Sequence, residues 1–293
     1  MKTKNFYGLM AMAIAVMTTG CTQEADEVMN GAAMDGGKVV TTFAVEGDFD
    51  MPEFGAMTRA LTADGKAMTD LWVLDYVDGA LVGQLHQTAE DDDFGTPTMA
   101  LDFGSHHVYF VCSRGTTPTL STEGHSITWA TTSDTFYKDY SVTVASGSSS
   151  TRSVTLERVA TKLGITIADE IPAGTAYVEI MPATWYYAID YLTGEATAAL
   201  SAEPRTINIP SANIGTTGTS LSIFGLSGAT EWTTDVTVKA YDADDNILGT
   251  ASISDAPFVA NRATSYSGNL FSGSGNFAMT MNDTWADEHA GTW

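Results

Sequence analysis

Apolar and polar residues alternate along most of the chain, and stretches of helical period are scarce. Runs rich in Val, Ile, Thr, Tyr and Phe recur between clusters of Gly, Asp, Asn, Ser and Pro. A period of two puts every second side chain on one face, the mark of short, half-buried strands. In chain order the pattern predicts strands over 39–45, 70–77, 80–85, 98–103, 107–113, 126–129, 142–144 and 153–156. Further strands are expected over 163–168, 177–181, 206–209, 220–225, 236–241, 247–253, 265–271 and 276–281. One helix is admitted, over 131–139. Asp78-Gly79 between two apolar runs is a two-residue hairpin signal. Residues 242–246 (Asp-Ala-Asp-Asp-Asn) read as another turn. As a calcium loop they lack the central Gly and the distal Glu. So many short strands of even spacing predict an all-β chain of packed sandwiches.

The segment ahead of the first strand has a different character. Lys2 and Lys4 precede an uncharged apolar run over 6–17, and Thr18-Thr19-Gly20-Cys21 follows. The run is shorter than the ~20 apolar residues of a membrane span and has the proportions of a secretory signal. A cysteine directly after small residues resembles a bacterial lipobox, where the thiol is acylated and the chain is cut before it. Thr18 stands where Leu is usual. The expected organisation is a signal peptide over 1–20 and a polar tether over 21–36 behind a lipidated Cys21. The plainer alternative is an ordinary signal with an incidental Cys21.

Composition narrows the partners. The formal charge is −23, and loss of Lys2 and Lys4 with the signal takes it to −25. Such acidity repels nucleic acid, so none is expected as a partner. The only other cysteine, Cys112, lies in an apolar run and reads as a small core residue, with no disulfide framework and no zinc spacing. The five histidines (His86, His106, His107, His125 and His289) read as surface or turn residues, and His106 and His107 face opposite ways on a strand. No nucleophile elbow, phosphate loop or metalloprotease helix is present, and the acidic run 90–93 reads as a solvated loop. No catalytic residue, cofactor or metal is expected. Tryptophans 72, 129, 185, 232, 285 and 293 offer a sugar-stacking alternative to core packing. A Ser/Gly-rich stretch over 146–151 lies mid-chain, and a domain boundary is placed near Arg158.

Three segments together resemble the FimA/Mfa-like fimbrillin family, the subunits of Bacteroidales type V pili. The first is the N-terminal order: Cys21, a polar tether, an isolated strand over 39–45, a long loop with Thr58-Arg59-Ala60, then a strand over 70–77 with its Asp-Gly turn. The second, 156–165 (Leu-Glu-Arg-Val-Ala-Thr-Lys-Leu-Gly-Ile), is similar to the family's junction between domains. The third, 261–270 (Asn-Arg-Ala-Thr-Ser-Tyr-Ser-Gly-Asn-Leu), is similar to its last domain strand. The likeness is one of layout and covers most of the chain after Cys21.

The resemblance implies two tandem transthyretin-like, Greek-key β-sandwich domains, over 37–158 and 159–275, with a donor-strand tail over 276–293. It implies a lipoprotein precursor that reaches the outer membrane and cell surface. There an arginine-specific or trypsin-like protease cuts between Arg59 and Ala60, and the first strand leaves with its lipid. The tail of another fimbrial subunit then fills the groove. The residues are compatible with this scheme. Val39, Thr41, Phe43 and Val45 share one face of the releasable strand. Arg59 is one of two basic residues between Cys21 and Lys66. Phe277, Met279 and Met281 share one face of the tail, Trp285 follows, and Ser272-Gly273-Ser274-Gly275 is a flexible lead-in. Alternatives remain at this stage: a lipid-retaining anchor, an adhesive tip subunit, a monomeric glycan-binding lipoprotein, or a tail folded back in cis. A glycosidase would need two carboxyls set across a cleft.

Overall fold

A computed structural model describes residues 34–35, 37–47, 68–115, 117–200, 203–228, 231–272 and 277–282. The described residues contain strands β1 (Met34–Asp35), β2 (Lys38–Gly47), β3 (Asp70–Val77), β4 (Ala80–Thr88), β5 (Thr98–Asp102), β6 (Gly104–Ser113), β7 (Thr119–Ser121), β8 (Ser126–Thr128), β9 (Thr135–Val144) and β10 (Thr151–Arg158). They continue with β11 (Ala160–Ile167), β12 (Thr175–Pro182), β13 (Trp185–Asp190), β14 (Glu195–Leu200), β15 (Arg205–Asn208), β16 (Thr219–Leu226), β17 (Trp232–Asp242), β18 (Ile247–Phe258), β19 (Ala263–Gly268) and β20 (Phe277–Asn282). The fold is all-β, as the alternation predicts.

Apart from β7 and β8, the strands up to Arg158 run β1-β2-β10-β9-β6-β3-β4, with β5 also paired to β2. The sheet turns a corner at β10. Its residues Thr151–Leu156 lie beside Thr42–Gly47, whereas Glu157 and Arg158 lie beside Tyr137 and Phe136. The corner wraps the two arms around one core that includes Phe43, Val73, Leu101, Phe110, Cys112 and Val154. Cys112 is fully buried, and burial pushes its thiol well above its ordinary value, so it is an inert packing group. At the β3–β4 hairpin, Asp78 and Gly79 both take positive φ, +48° and +79°, which the right-handed twist of a tight hairpin requires.

After Arg158, the sheets β16-β11-β19-β20 and β15-β12-β17-β18 share a second core, with Leu163, Ile165 and Tyr266 from one and Val178, Ile180 and Val238 from the other. Between β17 and β18, Asp242 Oδ1 accepts the backbone N–H groups of Asp244 and Asn246, both at 2.9 Å, so the acidic cluster is a hydrogen-bonded turn. A small sheet, β14-β13-β8-β7, draws strands from both sides of Arg158. It covers a third core in which Leu74, Tyr76, Val111 and Trp129 meet Val159, Ile189, Tyr191 and Leu226.

A buried ion pair sits where β10 passes into β11. Arg158 Nε donates to Asp134 Oδ1 at 2.8 Å and Nη2 to Oδ2 at 3.3 Å, while Nη1 donates to Asn261 Oδ1 at 3.0 Å. The guanidinium also lies 4.6 Å from the centre of the Phe136 ring. The residue thus ties the chain before the junction to the loop ahead of β19.

Three expectations need correction. Residues 131–139 are not a helix: β9 begins at Thr135 and pairs residue by residue with β6. Phe136, Tyr137 and Tyr140 prefer a pleated surface, and Asp134 is taken by Arg158. Strands β1, β7, β13 and β14 were not foreseen. β13 lies in an aromatic run that reads as packing, and β14 is rich in Ala, a weak strand former. His106 is neither at the surface nor in a turn. It is 1% exposed, with Nδ1 2.8 Å from Asp75 Oδ1 and Nε2 2.9 Å from the Asp102 carbonyl.

Close packing makes one glycine informative. A Cβ built on Gly225 in β16 would lie 2.8 Å from the Trp185 ring, whose Nε1 donates to the Phe224 carbonyl at 2.9 Å. Gly225→Ala is expected to lower stability by about 1–3 kcal/mol in a urea melt, the usual cost of overpacking. An unchanged midpoint would mean the indole can move aside freely.

Candidate functional site

The first long strand, β2, occupies a slot with walls on both sides. Its burial alternates along its length, and Val39, Thr41 and Phe43 are fully buried with Val45 almost so. Phe43 meets Phe110 edge-on at a centroid distance of 5.2 Å and Tyr140 at 6.0 Å. On one side, β2 pairs in parallel with β10 through Thr42–Gly47. On the other, Lys38–Thr42 pair antiparallel with β5, and the N–H groups of Phe43 and Val45 donate to the carbonyls of Pro97 and Gly95 at 2.9 and 3.0 Å. Lys38 Nζ reaches Asp102 Oδ2 at 3.3 Å, an exposed pair that contributes little.

Neither main neighbour of β2 adjoins it in sequence. β5 follows more than fifty residues later, and β10 more than a hundred. A parallel neighbour also cannot be a hairpin partner. β2 is therefore held by its side chains and backbone hydrogen bonds, as a strand from another molecule would be. Burying Val39, Phe43 and Val45 is worth about 5–9 kcal/mol at ~1.5–3 kcal/mol each. That is comparable with the whole stability of a domain, ~5–15 kcal/mol, so an empty slot does not persist unaided.

The far end of the chain shows the opposite arrangement. Among the described residues β20 pairs antiparallel with β19 alone, from Ala263 opposite Asn282 to Gly268 opposite Phe277. It is the edge of its sheet, folded back in cis, and the Phe277 side chain is partly buried against the second core. An edge strand with one ladder leaves at lower cost than a strand walled on both sides, and its departure exposes the paired edge of β19.

No protein-family pattern matches the chain, and no curated protein matches it by sequence. Comparison of structures does find neighbours. A candidate adhesin from Bacteroides ovatus superposes with a TM-score of 0.50 at 12% identity, over 85% of this chain and 95% of that one. The chain shares that fold. A candidate cell adhesion protein from Bacteroides uniformis gives a TM-score of 0.48 at 16% identity, over 84% of this chain and 99% of that one. The tip fimbrial protein Mfa3 from Porphyromonas gingivalis, with a C-terminal truncation, gives 0.45 at 12% identity, over 84% and 100%. At such identities the likeness is one of fold.

Of the residues singled out in the sequence, Val39, Thr41, Phe43 and Val45 come together on the buried face of β2. Phe277, Met279 and Met281 fall on β20 in alternate positions. Cys21, Arg59, Ala60 and Trp285 lie outside the described residues. Among the described tryptophans, Trp129 and Trp185 are buried, and Trp72 and Trp232 are half-buried against the cores, so none forms an open stacking platform.

The polar groups that hold the slot were missed. His106 bridges β3 and the β5–β6 turn: the Asp102 carbonyl can only accept, so Nε2 carries a proton and faces it. Burial raises the Asp75 carboxyl, and its hydrogen bond to His106 pulls it back. The bridge braces the end of β5 against which Lys38 is paired. A signal for it exists. His106 is in phase with Val108, Phe110 and Cys112 on the inward face of β6, and Arg158 is in phase with Val154 and Leu156 on β10.

Proposed function

We propose that the chain is a structural subunit of a cell-surface fimbria that joins its neighbours by exchange of strands. The observation that carries this reading is the contrast between β2 and β20. β2 fills an apolar slot formed by remote segments and is connected onward only through residues 48–67, where Arg59 lies. β20 is an apolar edge strand bonded on one side. Exchange replaces the first kind of strand with the second, taken from another subunit, and restores both the side-chain burial and the backbone hydrogen bonds of the slot.

In this account the precursor is exported as a lipoprotein through Cys21 and sits at the outer membrane with β2 in place. A trypsin-like or arginine-specific protease cuts between Arg59 and Ala60, and β2 leaves with the lipid. The vacated slot then takes the tail of another fimbrial subunit, in which Phe277, Met279, Met281 and Trp285 supply the inward side chains. The surface role is supported by the shared fold of the Bacteroides ovatus candidate adhesin. The two sandwiches, over 37–158 and 159–275, act as one stiff unit because the third core draws on both.

Arg59→Ala is expected to leave export and folding intact and to abolish filaments, read by electron microscopy of the cell surface and by the chain's urea midpoint. Filaments in normal number from that variant would remove the cleavage step from the account.

A further inference from the structure

Just beyond β19 the chain at Leu270–Ser272 is wrapped around one carboxylate. Asp169, just beyond the end of β11, accepts the backbone N–H of Leu270 at 3.0 Å on Oδ1. Its Oδ2 accepts the N–H groups of Phe271 at 2.8 Å and Ser272 at 2.7 Å, and the Ser272 hydroxyl at 3.0 Å. In an extended strand successive N–H groups point to opposite sides. Three in a row on one acceptor therefore mark the point where the chain abandons strand geometry and curls. The last rung before the curl is the Ala168 N–H on the Gly268 carbonyl at 2.7 Å.

Two other features hold the first two of these residues. Leu270 is 2% exposed in the second core, and Phe271 packs against that core. Gly249 on β18 lets the curl come close: a Cβ there would lie 2.5 Å from the Leu270 carbonyl oxygen and 3.2 Å from the Phe271 ring. By contrast, β20 has a single ladder among the described residues.

We propose that Asp169 is a positioning residue that fixes the chain at Leu270–Ser272 and so sets the point beyond which the C-terminal strand can leave β19. This inference rests on the strand-exchange reading for its purpose, and it adds where the moving part begins. Everything up to Ser272 stays with its own subunit, and the strand handed over starts after it. A fixed exit point defines how far the tail reaches and hence its register in the neighbouring slot. Without the anchor the tail could peel back along β19 and arrive out of register, and a slip of one residue turns every apolar side chain to the wrong face.

The carboxylate is suited to the task at neutral pH. Burial raises it, but the N–H groups of Leu270, Phe271 and Ser272 and the Ser272 hydroxyl outweigh burial and hold it below its ordinary value. The test is hydrogen exchange on the full chain, with Asp169→Asn and Asp169→Ala alongside the parent. In the parent, the amides of Leu270–Ser272 should exchange at least about tenfold more slowly than those of β20. In Asp169→Ala their protection should fall by about tenfold or more, with a smaller fall in Asp169→Asn, while β11 keeps its protection. Parent protection at these three amides should also decline below about pH 4, as the carboxylate protonates, and Asp169→Asn should not show that decline. Cells carrying Asp169→Ala should bear about tenfold fewer filaments despite a folded, exported chain. Unchanged protection at Leu270–Ser272, joint opening of those residues with β20 in the parent, or undiminished filaments would each overturn the proposal. Normal filaments from Arg59→Ala would instead remove the cleavage step and leave the anchor measurements standing.

Discussion

Phe43→Ala should destabilise the full chain by about 3–5 kcal/mol, the usual cost of deleting a buried aromatic ring. Phe43 is fully buried and sits edge-on to Phe110 and Tyr140, so its removal leaves a cavity between β2 and the opposite arm of the sheet. Against a total of ~5–15 kcal/mol this is about a fifth of the stability or more, and the urea midpoint should fall accordingly. The same substitution carries a second expectation that separates packing from assembly. If β2 departs before filaments form, Phe43→Ala should leave the stability of finished filaments unchanged while weakening the precursor. A loss below about 1 kcal/mol in the precursor would mean that β2 does not fill its slot tightly. Equal losses in precursor and filament would mean that β2 stays.

Breaking the ion pair at the junction should cost as much. Arg158→Met takes its ion-pair partner from buried Asp134, and Asp134→Ala takes the carboxylate from the guanidinium. Each is expected to cost about 3–5 kcal/mol, because a buried charge loses its main opposite partner. Replacing both, as Arg158→Met with Asp134→Leu, should recover most of the loss, since apolar residues of similar volume require no desolvation of charge. The pH dependence has a defined sign. Burial pushes the Asp134 carboxyl up, and Arg158 pulls it back. Beside Arg158 the balance already leaves the folded carboxyl above its ordinary value, and without Arg158 it binds its proton more tightly still. The folded state is then favoured at low pH and loses stability as pH rises from the ordinary carboxylate value through the raised one. The deficit of Arg158→Met should therefore be smaller at pH 4 than at pH 7. A deficit independent of pH would place the cost in lost packing and not in the stranded charge.

Much of this fold is legible in the sequence, and the reasons differ by element. The inward face of β2 can be read from Val39 to Val45 because alternation is a property of one strand and needs no partner. Asp78-Gly79 is readable because the tight hairpin demands positive φ at both positions, which few residue pairs tolerate. The parallel pairing of β2 with β10 and of β11 with β19 is not readable in this way. It joins segments about a hundred residues apart whose patterns suit many partners. β14 escapes notice because Ala favours no strand, and its place comes from β13 beside it.

Of the candidate site, the apolar half was visible and the polar half was not. Val39, Phe43 and Val45 announce a buried face, whereas His106, Arg158 and Asp169 look like surface residues until their partners are known. Those partners are Asp75, Asp134 and the amides of Leu270–Ser272, each from another part of the chain. The inward phase of His106 and Arg158 was present in the alternation, but charge usually argues for exposure. Only the fold supplies the counter-charge that makes burial tolerable.

Strand exchange requires that β2 closes the precursor and is removed before assembly. Its most direct test is the N-terminal residue of the chain recovered from filaments sheared off the cell surface. The expected first residue is Ala60, with Cys21 and β2 absent from the filament. A chain that begins at an acylated Cys21 would contradict it, since β2 would still occupy the slot that another subunit is supposed to fill.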